Sequence, residues 1–424
     1  MNRRTYVTAI GKFTRKIAKL KGGSGSALPG LIVEKIDRNF VSDSLKQLPH
    51  GTIVVSGSNG KTTTTKIIVS LLESVGLSVF TNKSGSNFTR GIAASLLEDV
   101  DINGNLNKDI AVIELDEAYA AKFVDSFKPD FSVLLNVMRD QLDRFGEIDK
   151  TAQFLKKVAE NTKSSVILNN DDERIRVIAD YIKARPVFFG LSQKLTHFFP
   201  SDDDLHSDNE HIPNKNNDIA VRLEEFKSNN AVFTINDTRY STRLELKGIY
   251  NILNSAAALA TVTTIVKNPD IEKLLTALSK VTPAFGRGES INVDGQSIEL
   301  ILVKNPSGFQ LSLESFKPDN YDTIIAINDD YADGRDVSWL WDVDFNILQK
   351  YSVYAACGSR AFDMSLRLQY NNVTVSITDV DIDKTITDSI KKSKKSKRIF
   401  CTYTAMLAIR KQLGKMTKIK EITE

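Results

Sequence analysis

The stretch "IVVSGSNGKTTTTKIIVSLLESVG", residues 53–76, decides the fold. A short apolar run, Ile53 to Val55, meets a loop holding Gly57 and Gly60. Lys61 and the threonines Thr62, Thr63, Thr64 and Thr65 follow, and then apolar residues recur at helical spacing. A buried strand, a glycine loop, Gly-Lys-Thr and a helix make a turn that grips phosphate, because backbone N–H groups and the positive end of the helix face the anion. The common GxxxxGK[ST] spacing is not met: Val55 stands where its first glycine would be, leaving the shorter GxxGKT. Gly57, Ser58, Asn59, Gly60, Lys61, Thr62 and Thr63 are the expected nucleotide-binding residues. Lys61 would neutralise the β/γ oxygens of ATP, and the Thr62 hydroxyl would join the shell of a Mg²⁺ ion.

Outward from this loop, apolar strands alternate with helical patterns from about residue 51 to 190. "TIVVSG", "LSVFTN", "IAVIELD", "FSVLLNV", "SVILNND" and "PVFFG" read as strands, with helices such as 62–75, 90–99 and 151–162 between them. That alternation predicts an α/β fold with a mostly parallel sheet, helices on both faces, and ligands at the carboxyl ends of the strands. Residues 194–245 begin acidic and Pro/Asn-rich, then give three alternating runs that read as a small antiparallel meander. "PAFGRGE" closes this unit near 289. A second alternating set, "IELILVKNP", "YDTIIAIND", "SVYAACGS" and "VTVSITD", predicts a separate α/β domain over 290–424. "KKSKKSKR", 391–398, reads as the exposed end of a helix.

Composition narrows the function classes. The 424 residues are too many for one core, and 41% apolar with 26% charged residues describes a soluble globular chain. A net charge of +3 gives no reason to expect a nucleic-acid partner. No apolar run approaches roughly 18 residues, so no bilayer-spanning helix is expected. The N-terminus lacks a continuous apolar signal core, which predicts a cytoplasmic protein. The two cysteines, Cys357 and Cys401, lie outside any CxxC pair, so neither a disulfide framework nor a zinc site is expected. The four histidines, His50, His197, His206 and His211, all fall in polar stretches. Self-contained Ser-His or Cys-His hydrolysis is therefore not expected.

Residues 1–35 read as a basic helix and linker. Residues 1–22 carry seven basic residues and no acid, and Val7, Ile10, Phe13, Ile17 and Leu20 recur at helical spacing before "GGSGSALPG" breaks the pattern. Two readings are open: a helix packed on the domain with a solvated basic face, or a surface that approaches anionic lipid headgroups at the inner face of the membrane. Further along, Glu114, Asp116 and Glu117 follow the strand "IAVIELD", and Asp140 and Asp143 follow "FSVLLNV". Carboxylates at those strand ends can hold Mg²⁺ opposite Thr62, which lets a nucleophile approach the charge of ATP.

"GSNGKTTT", "NVMRDQLDRFG", "LNNDDE", "YNILNSAAALA" and "FGRGE", in that order, resemble the central domain of the Mur ligases. "TNKSGSNFTRGIAASLL", "IELDEA", "NDDYADGRDVSWLWDVDF" and "TYTAML" resemble more closely the MurT family, the Mur-ligase-like subunits of lipid II isoglutaminyl synthase. The resemblance covers nearly the whole chain. It implies a Mur-ligase-like ATP-binding domain over 36–289, with 194–245 as a variable insert, and a Rossmann-like MurT-type domain over 290–424. By the same resemblance Glu114 is a metal ligand, Asn251 and Asn254 lie near the adenine, Arg287 lies on the phosphate side, and Asn87 belongs to a substrate-side segment. Mur ligases usually carry histidine where Gln141 stands, and the position of their carbamylated lysine falls on Leu155, with Lys156 adjacent. The insert has none of the zinc-ribbon cysteines that many relatives carry.

The activity implied is ATP-dependent amidation of the D-glutamate α-carboxylate in the lipid II stem peptide, through an acyl phosphate, to D-isoglutamine. Ammonia would come from a GatD-like glutaminase subunit in a heterodimer. Asp336, with Asp342 second, is the residue implied to reach that partner and orient its histidine, a loop-capping role being the alternative. Two other readings remain open from the residues: a stand-alone Mur- or folylpolyglutamate-type amino-acid ligase, and a nucleotide-binding scaffold without catalysis.

Overall fold

The computed structural model describes residues 3–20, 27–82, 89–138, 148–198, 218–227, 229–246, 248–282 and 287–419. Three helices lead in: α1 (Arg3–Leu20), α2 (Ala27–Ile36) and α3 (Phe40–Leu45). β1 (Thr52–Ser56), α4 (Lys61–Ser74), β2 (Val79–Thr81), α5 (Thr89–Asp99), β3 (Ile110–Glu114), α6 (Glu117–Phe123) and β4 (Phe131–Leu134) then build the half that carries the phosphate loop. The sheet continues through α7 (Ile148–Glu160), β5 (Ser165–Asn169), the short α8 (Glu173–Arg176), β6 (Arg185–Leu191), β7 (Ile219–Lys227), β8 (Asn230–Ile235) and β9 (Thr238–Arg243). Helices α9 (Ile249–Ile265) and α10 (Ile271–Ser279) close the domain.

Among the described residues nine strands form one sheet, ordered β2-β3-β1-β4-β5-β6-β7-β8-β9. All pairings from β2 to β7 are parallel, and β7-β8-β9 are antiparallel. Every residue of β1, β3 and β5 is buried, as expected for strands covered by helices on both faces. One apolar layer joins Ile53, Val55, Ile67 and Leu71 to α9, whose Ala256–Ala260 are buried all round. The other joins Val54, Ile113 and Leu134 to α5 and α7. Strand order reverses on either side of β1, and Val55 stands in register with both Glu114 and Val133. The loop after β1 therefore opens at a topological switch point, where parallel sheets bind ligands.

The second domain runs β10 (Arg287–Val293), β11 (Gln296–Leu302), α11 (Pro306–Ser315), β12 (Tyr321–Ala326), β13 (Val353–Cys357), α12 (Ala361–Tyr370), β14 (Val375–Asp379), α13 (Ile382–Lys392), β15 (Ser396–Cys401) and α14 (Tyr403–Gly414). Its sheet is ordered β10-β11-β15-β12-β13-β14, parallel except for the β10-β11 hairpin.

The antiparallel meander forms as β7-β8-β9, and β7 pairs in parallel with β6, Phe189 opposite Val221, so it extends the central sheet. Three expectations change. A division after 289 would cut β10, which belongs wholly to the second sheet. The expected linker is helical from Ala27, and Gly30 lets α2 back onto α5, since a Cβ there would collide with the Arg90 carbonyl oxygen. Finally, α13 ends at Lys392, and Ser396–Cys401 is a central strand, not a helix end. Lys397 is fully buried there because Asp322, at 3.1 Å, and Gln296, at 3.2 Å, receive its ammonium.

Candidate functional site

The loop Gly57–Gly60 is shaped by its own glycines and by the segment after β4. Gly60 caps α4 at φ +89°, a left-handed conformation, and a Cβ on it would meet the Asn254 side chain at 2.5 Å. Asn59 N–H donates to Asn136 Oδ1 at 2.8 Å, and Asn136 Nδ2 returns a bond to the Asn59 carbonyl at 3.0 Å. Ser58 Oγ donates to the Met138 carbonyl at 3.1 Å and accepts Met138 N–H at 3.0 Å. These bonds fix the loop's backbone, which lowers the ordering cost of binding a phosphate.

Lys61 is buried at the head of α4. Its ammonium donates to the Gly57 carbonyl at 2.7 Å and pairs with Asp116 at 3.2 Å and Glu117 at 3.5 Å. Both Glu117 oxygens are buried without a hydrogen-bond partner among the described residues, so Lys61 is what compensates that charge. Thr62 Oγ1 donates to Glu114 Oε1 at 2.8 Å. Asn82 braces the Glu114 backbone from both sides, accepting its N–H and donating to its carbonyl, each at 2.9 Å.

The loop and Lys61 face a cleft between the two domains. Ser58, Asn59, Gly60 and Lys61 line one wall, Gly248, Tyr250, Asn251 and Asn254 a second, and Lys304, Gly308, Ser312 and Phe316 of the second domain the third. Asn305 joins the walls: it caps α11 by accepting Gly308 N–H at 2.7 Å and donates to Asn59 Oδ1 at 3.2 Å. Burial pushes the Tyr250 hydroxyl well above its usual range, with the Glu314 carboxylate adding to the effect, so Tyr250 stays neutral.

The expected set Gly57, Ser58, Asn59, Gly60, Lys61, Thr62, Thr63, Glu114, Asn251 and Asn254 is brought to one end of the sheet. The hydroxyl of Thr62 and the carboxylate of Glu114 are oxygen donors of the kind Mg²⁺ takes, and would hold such an ion beside the loop. Thr63 Oγ1 is buried without a hydrogen-bond partner among the described residues, and Thr63 does not line the cleft. Among the described residues no group of three or more His, Cys, Asp or Glu could itself hold a metal. Leu155 is buried in the apolar layer, and Lys156 lies 3.3 Å over the Tyr181 ring. Asn87, Asp140, Gln141 and Asp143 lie outside the described residues, as does the Arg287 side chain, although Arg287 opens β10.

Asp336 does not line the cleft. It lies exposed on the loop after β12 and accepts Ser338 N–H at 2.8 Å, opening the 3₁₀ turn Ser338–Asp342. Hydrogen bonds from the Ser338 side chain and backbone hold its carboxyl below the usual range. The same loop is tied down by Asp333, which accepts Thr404 N–H at 2.8 Å. Trp339 packs toward Phe309 in the core, while Trp341 is half exposed and stacks edge-on with Tyr370 at 5.1 Å.

Asn82, Asn136, Tyr250, Lys304, Asn305 and Phe316 were not legible as site residues. Each is a lone polar or aromatic residue at a strand or helix end, and only its long-range neighbours give it a role.

Residues 55–262 match the Mur ligase middle domain family, and residues 302–406 match the MurT ligase C-terminal family. The chain is 28% identical to the lipid II isoglutaminyl synthase (glutamine-hydrolyzing) subunit MurT of Streptococcus pneumoniae, over 98% of each chain. It is 27% identical to the protein of the same name from Staphylococcus aureus, over 87% of this chain and 88% of that one. In fold it resembles the MurF ligase of Thermotoga maritima solved in complex with ADP, with a TM-score of 0.67 at 19% identity over 92% of this chain and 85% of that one. A phosphate loop at the switch point of a Mur-type sheet, joined to a MurT-type second domain, identifies the chain as a member of the Mur ligase family.

Proposed function

We propose that this chain is the ATP-dependent ligase subunit of a lipid II isoglutaminyl synthase. The observation that carries the reading is Lys61 lining a cleft whose far wall is the MurT-type domain, with the hydrogen-bonded pair Thr62 and Glu114 next to it on α4 and β3. Two relatives, matched over 98% and 87% of the chain, are named as the MurT subunit of that synthase.

In this reading the loop N–H groups and Lys61 hold the triphosphate, and Asn251 and Asn254 flank the base. Magnesium, held by Thr62 and Glu114, would screen phosphate charge so that an anionic carboxylate can approach. An oxygen of the D-glutamate α-carboxylate attacks the γ-phosphorus and ADP leaves, giving an acyl phosphate. Ammonia then attacks the acyl carbon, inorganic phosphate leaves, a proton is lost, and the α-amide of D-isoglutamine remains. Both cysteines are buried, and burial pushes the Cys357 thiol up to about 12. Neither suits nucleophilic glutamine hydrolysis, which supports import of ammonia from a GatD-like glutaminase. Asp336, exposed and ionised on the second domain, is the residue we assign to the approach of that partner's catalytic histidine.

The test is amidation of lipid II by the chain co-purified with its glutaminase, with ATP, Mg²⁺ and ¹⁵N-labelled glutamine. Label is expected in the D-glutamate α-amide, with one ADP formed per amide. ATP turnover driven by a free amino acid without any partner would replace this reading with a stand-alone ligase. Nucleotide binding without phosphate release would replace it with a scaffold.

A further inference from the structure

The first helix divides its apolar residues between two sides, Val7 packed inward and Phe13 and Ile17 turned outward. Positions 7, 8, 11 and 15 form the packed side of α1. Val7 and Thr8 are fully buried, Gly11 sits against Val33 and Leu97, and Arg15 is paired with Glu98. A helix turns through 3.6 residues, so positions 6, 13 and 17 fall on the opposite side. Tyr6 is 54% exposed, Phe13 67% and Ile17 39%. Of the stripe read from the sequence, Val7 serves the core, while the tertiary contacts leave Phe13 and Ile17 in water beside Tyr6.

Charge accompanies this stripe. Lys12 and Lys16 flank it on one side, Lys16 exposed and Lys12 half-buried. The chain has no acidic residue before Glu34. The acids that reach α1, Asp37 and Glu98, pair with Arg3 and Arg15. An aromatic and aliphatic ridge beside lysines, on a helix anchored from behind, combines the two signals that hold an interfacial helix to a bilayer: apolar insertion and attraction to anionic headgroups. No helix among the described residues is long and apolar enough to cross a membrane, so the contact is peripheral.

We propose that the Tyr6–Phe13–Ile17 face of α1, with Lys12 and Lys16, docks the protein on an anionic phospholipid surface. A lipid-linked acceptor, as proposed above, would be met there; vesicle binding itself needs no acceptor. A protein partner would have to offer an acidic, apolar groove, whereas an anionic bilayer supplies both features without shape complementarity, which suits an open ridge.

The full-length chain is expected to co-sediment with phosphatidylglycerol/phosphatidylcholine vesicles at low salt and about tenfold more weakly with phosphatidylcholine alone. Phe13→Glu/Ile17→Glu is expected to lower the bound fraction about tenfold at unchanged Tm, since both side chains are exposed. Lys12→Glu/Lys16→Glu is expected to abolish the preference for anionic vesicles. A wild-type chain that stays in the supernatant, or an apolar-face variant that binds as well as wild type, would overturn the proposal. So would self-association of the wild type, lost in the same variants, without vesicle binding, because a second copy would then cover the face. Amidation of a lipid-free stem-peptide acceptor is expected to be equal in wild type and variants. If that reaction failed in every form while vesicle binding persisted, the ligase reading would fall and membrane docking would stand.

Discussion

Thr62 Oγ1 donates a 2.8 Å hydrogen bond to Glu114 Oε1, joining the first turn of α4 to the carboxyl end of β3. In the proposed function this hydroxyl and this carboxylate oxygen would hold the magnesium ion. Thr62→Val and Glu114→Gln are each expected to cut ATP-dependent turnover by about 100-fold or more and to raise the Mg²⁺ concentration needed for half-maximal rate. Steady-state rates across a magnesium titration check this; an unchanged magnesium dependence would refute the assignment.

Lys61, the phosphate clamp of the proposed function, is also the counter-charge of a buried carboxylate, so its removal is expected to have two consequences. Lys61→Ala should abolish turnover and also destabilise the fold by about 2–4 kcal/mol, because Glu117 is left buried without compensation. Lys61→Ala/Glu117→Gln should regain most of that stability and none of the activity. Denaturant unfolding beside the amidation assay separates the two effects.

Gly60→Ala meets two obstacles at once: the φ of +89° and a contact of 2.5 Å with the Asn254 side chain. The variant is expected to lose about 1–3 kcal/mol of stability and most nucleotide affinity. Calorimetric titration with ADP and a thermal melt test both parts.

Asp336→Asn should slow glutamine-driven amidation at least about tenfold more than amidation fed by ammonium chloride, since only the former needs the partner's glutaminase. Asparagine keeps an acceptor for Ser338 N–H, so the turn and the Tm should survive. Equal losses with both nitrogen sources would leave Asp336 a loop cap and nothing more.

Thiol chemistry offers a pH-dependent check. Burial raises both thiols, Cys357 to about 12, with charge on Asp379 and Asp381 adding to it. In the native state neither cysteine should react with Ellman's reagent at pH 8, and both should react after unfolding, where the thiols return to about 8.5. By linkage, a thiol raised on folding contributes stability below the unfolded value that is lost as pH climbs toward the folded one. Stability should therefore decline above about pH 8.5. Rapid modification of the folded protein would contradict the burial.

Much was legible in order along the chain. "TIVVSG" before the glycine loop and "KTTTTKIIVS" after it set a strand, a phosphate turn and a helix, because strand period, glycine placement and helix period are local properties. The alternation of such units implied a parallel sheet, and the residues of the loop and of "IELDEA" named the reacting end. Contacts between distant segments were beyond that reach. Asn59 meets Asn305 across 246 positions, Lys397 turns inward because Asp322 and Gln296 receive it, and β7 joins β6 rather than standing apart. An apolar stripe says that a helix has two sides, and composition says that one side is basic. Which side faces the protein is decided by the close fit of Gly11 and Val7 against α2 and α5, a packing outcome that no period along α1 contains.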